Sequence, residues 1–235
     1  MAAADSPSTK PTRRRGSGVS TVYETLRNEI IDLTLAPGTP LEENQLSERF
    51  QMSRTPIREA ILKLSADGLV TTLTNRSTIV SQIDLMDLSS YFDALTLMYR
   101  VNTRLAAEFA TESDWERLEQ LQAEYADAVE RGDALAMITA NREFHLAIAD
   151  AGGNRYYRDL FKRLLDEGRR LLRLYYISFN DQIPREYSDQ HEDQIQAIRN
   201  RDIALADQLA REHADQIVAQ IQRYIAQDRR HNIPL

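Results

Sequence analysis

Ser53-Arg54-Thr55-Pro56-Ile57-Arg58-Glu59-Ala60 is the stretch on which the reading of the fold turns. Ser53 stands where a helix opens, and its hydroxyl can accept a backbone N–H freed at the helix start. Pro56 suits the first turn, because its missing N–H would be unpaired there anyway. Ile57, Ala60, Ile61 and Leu64 recur at helical spacing and predict a helix to about Asp67. Arg54, Thr55 and Arg58 fall off that stripe and face outward. A helix presenting arginine and hydroxyl groups at its N-terminal end fits a DNA major groove. The same residues would also suit an ordinary amphipathic helix with a solvated basic end.

The flanks choose between the two. Upstream, Val22, Leu26, Ile30, Ile31 and Leu33 mark an amphipathic helix from Thr21 to about Leu35, ended by Pro37-Gly38. A short helix follows, about Glu43 to Phe50, with Leu46 and Phe50 on its inner face, and Gln51-Met52 turns the chain into the helix at Ser53. Downstream of Gly68, Leu69–Thr74 and Thr78–Gln82 are rich in β-branched residues and bracket Asn75-Arg76-Ser77. Helix, helix-turn-helix and a two-stranded wing make a winged helix-turn-helix over residues 20–82. Ser53, Arg54, Thr55 and Arg58 then become candidate DNA contacts, joined by Asn44 at the head of the second helix and Arg76 in the wing.

Composition agrees with this division. The 235-residue chain has no cysteine, so disulfides and thiolate chemistry are excluded. No apolar run reaches ~18 residues, and the Ala-, Ser- and Pro-rich start lacks the apolar core of a secretory signal, so a cytoplasmic protein with no membrane span is expected. Residues 1–80 carry 10 Lys/Arg against 9 Asp/Glu, while residues 81–235 carry 19 against 27. The net charge of −7 therefore belongs to the second part, and the first remains free to meet a polyanion. Residues 1–19, with Lys10, Arg13, Arg14 and Arg15 among Ser, Thr, Pro and Gly, are expected to form a disordered basic arm.

From Leu85 onward only amphipathic helices are predicted. Leu88, Phe92, Leu95, Tyr99, Asn102, Leu105 and Phe109 line the first, and Trp115 to Val129 the second. Leu135 to Ile148 trace the third and Leu160 to Tyr175 a long fourth. Arg185 to Arg199 make the fifth, and Ile203 to about Arg229 the sixth. The fold class is mainly α: a winged helix-turn-helix followed by an antiparallel bundle of six or so helices over 83–228, with a polar tail at 229–235.

Three of the four histidines fall on apolar faces of these helices. His145 lies four residues after Asn141, His191 shares a face with Ile195 and Ile198, and His213 lies between Leu209 and Ile217. His231 sits in the tail. A buried polar group needs a partner. One metal ion would satisfy Asn141, His145, His191 and His213 together; separate core hydrogen bonds would satisfy them one by one. Imidazoles suit zinc, nickel, copper or iron, and zinc is the expectation. Tyr99 and Asn102 are inward polar groups on the first bundle helix, either effector contacts or core residues.

Tyr23, Leu26, Ile30, Pro37-Gly38, Leu41, Leu46, Phe50, the Ser53–Ala60 run, Leu64 and Gly68-Leu69 resemble the N-terminal domain of GntR-type bacterial transcription regulators. Ser77 stands where that family usually has glycine. Asn141-Arg142-Glu143-Phe144-His145, Gly153-Asn154, His191 with Ala197-Ile198, and His213 resemble the FCD effector domain of the FadR-type branch, over about 85–225. The resemblance implies an aspartate at the position of Asn141 in metal-binding members. It also implies an Arg and a Glu four apart where this chain has Leu95 and Tyr99.

These readings converge on a metabolite-responsive repressor that binds a palindromic operator in double-stranded DNA as a homodimer. The resemblance implies a small organic acid effector at or beside the metal. The alternatives are a metal-dependent enzyme and a bundle that only dimerises. An enzyme needs a general base beside the metal, and Glu143 and Glu192 both point away from the histidine face.

Overall fold

The computed structural model describes residues 17–74, 77–83 and 87–231. The expected arm up to residue 16, Arg76 and the last four residues lie outside these. Two compact units result, and the division falls within the first helix: Gly38–Ser81 with the chain up to Arg27, and Asn28–Pro37 with the chain from Gln82.

Helix α1 spans Ser17–Ile31, starting inside the segment expected as an arm and ending four residues before the expected Leu35. In the smaller unit α1 is followed by α2 (Glu43–Phe50), α3 (Arg54–Ala66) and an antiparallel pair of strands, β1 (Val70–Thr72) and β2 (Thr78–Val80). Val70 pairs with Val80 and Thr72 with Thr78, in two strands shorter than the expected Leu69–Thr74 and Thr78–Gln82. Gln51, in the left-handed conformation, ends α2, and the N–H groups of Gln51 and Met52 return to Glu48 and Ser47. Ile57, Ala60 and Leu64 are buried together with Val22, Leu26, Leu46 and Val80. Gly68 follows α3 at φ 71°, a conformation that costs a Cβ-bearing residue about 1–2 kcal/mol. The Leu69 N–H then reaches back to the Leu64 carbonyl. Tyr23 of α1 donates to Asp67, fixing α1 against the end of α3.

The larger unit is all helix: α4 (Leu88–Phe109), α5 (Glu112–Arg131), α6 (Ala134–Ala151), α7 (Arg155–Glu167), α8 (Arg169–Ile177), α9 (Arg185–Ser188), α10 (Gln190–Arg199) and α11 (Ile203–His231). Two of the six expected helices are divided. The long fourth breaks at Gly168, where the Tyr91 hydroxyl comes in to donate to the Leu164 carbonyl. A Cβ at Gly168 would lie 2.0 Å from that hydroxyl. The fifth is divided into α9 and α10 at Asp189. Local caps define the central helices: Asp133 accepts from the Ala136 N–H, and Asn154 from those of Tyr156 and Tyr157.

Helix α6 is the axis of the bundle. Twelve of its eighteen residues are buried, as befits a helix that is apolar nearly all round. Helices α4, α5, α7 and α8 pack on it, and α11 and α10 pack on α4. Phe109 was expected on the inner face of α4 but is 56% exposed, because the last turn buries Ala106, Ala107 and Ala110 instead. Among the described residues no helix is long and apolar enough to cross a membrane.

Candidate functional site

In the smaller unit, Asn44, Ser53, Arg54, Thr55 and Arg58 are all exposed. Ser53 occupies the N-cap of α3 with extended backbone, but its side chain makes no capping hydrogen bond. The capping role expected for it is therefore absent, and its hydroxyl faces solvent. Arg58 is not wholly unpartnered: its Nε–H is shared by the two carboxylate oxygens of Glu43, at 2.9 and 2.8 Å. Glu43 escaped notice in the sequence because its partner lies fifteen residues on, across the turn between α2 and α3.

In the bundle, α6, α10 and α11 bring His145, His191 and His213 together. Their ring centroids stand 5.0, 5.1 and 5.2 Å apart, and one nitrogen of each lies within 4.8 Å of the other two. All three are buried. Burial disfavours the imidazolium form and holds the pKa of His145 and His191 well below the ordinary value, and that of His213 down at about 4. The rings are therefore neutral near pH 7.

Two of the outer nitrogens are tied down. His191 Nδ1 is 2.9 Å from Gln122 Oε1, and His213 Nδ1 is 2.7 Å from Gln190 Oε1. A carbonyl oxygen only accepts, so each Nδ1 carries the proton and each Nε2 carries a lone pair. The Nε2 atoms of all three histidines are buried without a hydrogen-bond partner. An inward lone pair with a second ring nitrogen held by a fixed acceptor is the arrangement that metal-binding histidines adopt. Phe144 stacks on His191 at 4.1 Å, and the Tyr99 ring meets His145 edge-on at 4.6 Å.

Asn141 is buried one turn before His145 on α6, and its amide acts to lower the pKa of the Tyr99 hydroxyl, against the larger effect of burial. Tyr99 is itself buried beside the histidines, and burial pushes its phenol well above the ordinary value. Asn102 donates through Nδ2 to the Met98 carbonyl and leaves Oδ1 buried without a partner. The sequence reading missed Gln122, Gln190 and Gln194. Gln122 and Gln194 were findable, since each is a polar residue on a buried helical stripe: Gln122 between Leu118 and Tyr125, Gln194 between His191 and Ile198.

Comparison with known proteins accords with both halves. The model of the FCD domain matches residues 92–216, and that of the bacterial regulatory proteins of the gntR family matches residues 19–80. The chain is 30% identical over 182 residues to the HTH-type transcriptional repressor RspR of Escherichia coli, covering 77% of this chain and 78% of that one. The chain belongs to the GntR family. This GntR regulator is also 30% identical over 184 residues to the HTH-type transcriptional regulator LutR of Bacillus subtilis, covering 70% of its own length and 83% of LutR. Its fold matches that of E. coli McbR/YncC with a TM-score of 0.72 at 24% identity, over 88% of this chain and 98% of that one. GntR regulators of the FCD type are transcription factors that bind DNA and effector metabolites, not enzymes. The enzyme alternative is thereby set aside; Glu143, engaged with Arg142 at the surface, offers no base to the histidine site.

Proposed function

We propose that this GntR regulator is a cytoplasmic transcription repressor that binds a palindromic operator as a homodimer and responds to a small organic acid held at a metal ion in the bundle. Arg54 and Arg58 reach base edges from the first turns of α3, with Ser53, Thr55 and Asn44 on the sugar-phosphate backbone and Arg76 in the adjoining groove. His145, His191 and His213 hold a divalent transition metal, zinc first, with Asn141 as the fourth ligand through its amide oxygen. When bound, the metal supplies a Lewis-acidic centre with open positions for a carboxylate. Tyr99 orients Asn141, and Asn102 faces the effector. Repression is the function that the name of RspR gives for that relative.

The observation that carries the reading is the trio of buried, unpartnered Nε2 atoms. Three such nitrogens in one apolar core are costly unless a ligand engages them, since each lost partner is worth about 1–3 kcal/mol. Metal analysis of the purified chain at neutral pH tests it. One zinc per chain, lost in His145→Ala, is expected; a metal-free chain whose thermal stability His145→Ala leaves unchanged would sink the site. A footprint lost on deleting residues 1–82 tests the DNA-binding half independently.

A further inference from the structure

The histidine site contains no anion. Among the described residues every buried side chain with a polar group is an amide, a hydroxyl, an imidazole or the Arg170 guanidinium, and no carboxylate is buried. A divalent cation held by three neutral imidazoles and the Asn141 amide therefore keeps both its positive charges. In a low-dielectric core those charges must be met by the ligand that fills the open positions.

A second polar layer lies one helical turn from the histidines. Gln194 follows His191 by three residues on α10, and Asn102 follows Tyr99 by three on α4, so each shares a face with a residue of the histidine layer. Helix α10 packs on α4. Gln194 is fully buried, and neither its Nε2 nor its Oε1 has a partner; Asn102 Oδ1 is buried and unpartnered as well. Of these three atoms one donates and two accept. The two acceptors cannot be met by carboxylate oxygens and call for an O–H or N–H of the ligand.

On the metal reading above, we infer that the effector is a small dianionic acid carrying a hydroxyl group, its two negative charges neutralising the ion that all-neutral ligands leave uncompensated, its hydroxyl donating to an amide oxygen of the Asn102–Gln194 layer and a carboxylate oxygen accepting from Gln194 Nε2. A monocarboxylate leaves the site with net charge, and a dicarboxylate without a hydroxyl leaves the amide oxygens unsatisfied.

The test uses the full chain loaded with zinc and isothermal titration calorimetry with malate, succinate and lactate. Succinate lacks the hydroxyl of malate, and lactate lacks its second carboxylate. Malate is expected to bind at least tenfold more tightly than either. Asn141→Asp supplies an anion from the protein, so the advantage of malate over lactate should shrink at least tenfold. Gln194→Met keeps the volume and removes the amide. The malate-to-succinate ratio should then fall towards one at unchanged zinc content, while the melting temperature of the ligand-free chain rises, because an unpaired buried amide has been removed. A Gln194 that serves only packing would lower that temperature and leave the ratio alone, and this would overturn the inference. So would lactate binding as tightly as malate, or no binding of any of the three, to a chain carrying one zinc; either result leaves the metal reading standing. A chain that retains no zinc overturns both.

Discussion

Glu43 holds Arg58 by its Nε, not by its terminal nitrogens. The single Nε–H is shared between the two carboxylate oxygens at 2.9 and 2.8 Å, which leaves the forked Nη end of the guanidinium directed away from α2. With side-chain exposures of 62% and 35%, the ion pair adds little stability. On the proposed base contact its effect would be geometric, because a bidentate contact to guanine can then use the free Nη fork. Arg58→Ala should weaken specific operator binding by roughly 1–3 kcal/mol. Glu43→Ala should weaken it by less and relax its sequence preference, while binding to unrelated DNA improves on loss of a negative charge. Fluorescence anisotropy on operator and scrambled duplexes separates the two effects. Equal loss on both duplexes for Arg58→Ala would show a phosphate contact instead of a base contact.

Gln122 and Gln190 should matter to metal affinity without touching the ion. Each accepts from the Nδ1–H of one histidine and so keeps the Nε2 lone pair aimed inward. Replacing either by leucine is expected to cost about 10–100-fold in zinc affinity, read by competition with a chromogenic chelator. Gln122 also donates to the Ser188 carbonyl, so Gln122→Leu should loosen the entry to α10 as well. Unchanged zinc affinity in both variants would detach these residues from the site.

Acid should destabilise the metal-free bundle in a defined window. The three histidines have folded pKa values below their unfolded value of about 6.5, so the unfolded chain binds more protons between those limits. Stability contributed by the neutral rings is complete above about pH 6.5 and is lost as pH falls through that window. For His213 the loss runs down to about pH 4 and amounts to roughly 3 kcal/mol, at ~1.4 kcal/mol per unit. Asp166 acts only lower down, since its ion pairs hold it at about 2. Urea unfolding of chelator-treated protein between pH 7.5 and 5 should show the decline, and His213→Gln should flatten it. A curve of the same slope in that variant would rule out His213 as a contributor.

Gly168 and Tyr91 form a lock that stability measurements can read. A Cβ at Gly168 would meet the Tyr91 hydroxyl at 2.0 Å and its ring carbon at 3.2 Å. Gly168→Ala should therefore destabilise by about 1–3 kcal/mol, as overpacking does, in a helical conformation where alanine would otherwise be favoured. Tyr91→Phe removes the hydroxyl, so the double variant should recover part of that loss. Strict additivity in denaturant unfolding would mean that the clash is relieved elsewhere.

Much of this architecture is local in origin. Ile57, Ala60 and Leu64 are buried where their spacing places them, and the Gln51-Met52 turn and the Val70–Val80 pairing follow from residues within about ten positions of one another. Departures arose where distant groups intervene. The Tyr91 hydroxyl, reaching Leu164 from seventy-three positions away, divides a helix whose apolar stripe runs on unbroken through Gly168. Phe109 keeps the stripe period of α4 yet lies outside, while Ala106, Ala107 and Ala110 are the residues buried at that end of the helix.

By itself the sequence determined the helices, the winged helix-turn-helix and the burial of His145, His191 and His213, since a side chain's face is set by a period of 3.6 residues that any short segment displays. Only the tertiary structure decided that those three faces meet, that Gln122 and Gln190 fix the protons on the outer nitrogens, and that Gln194 and Asn102 are left with unpaired polar atoms. Such pairings join helices as much as 69 positions apart in sequence. They depend on which buried faces pack together, and no local period carries that information.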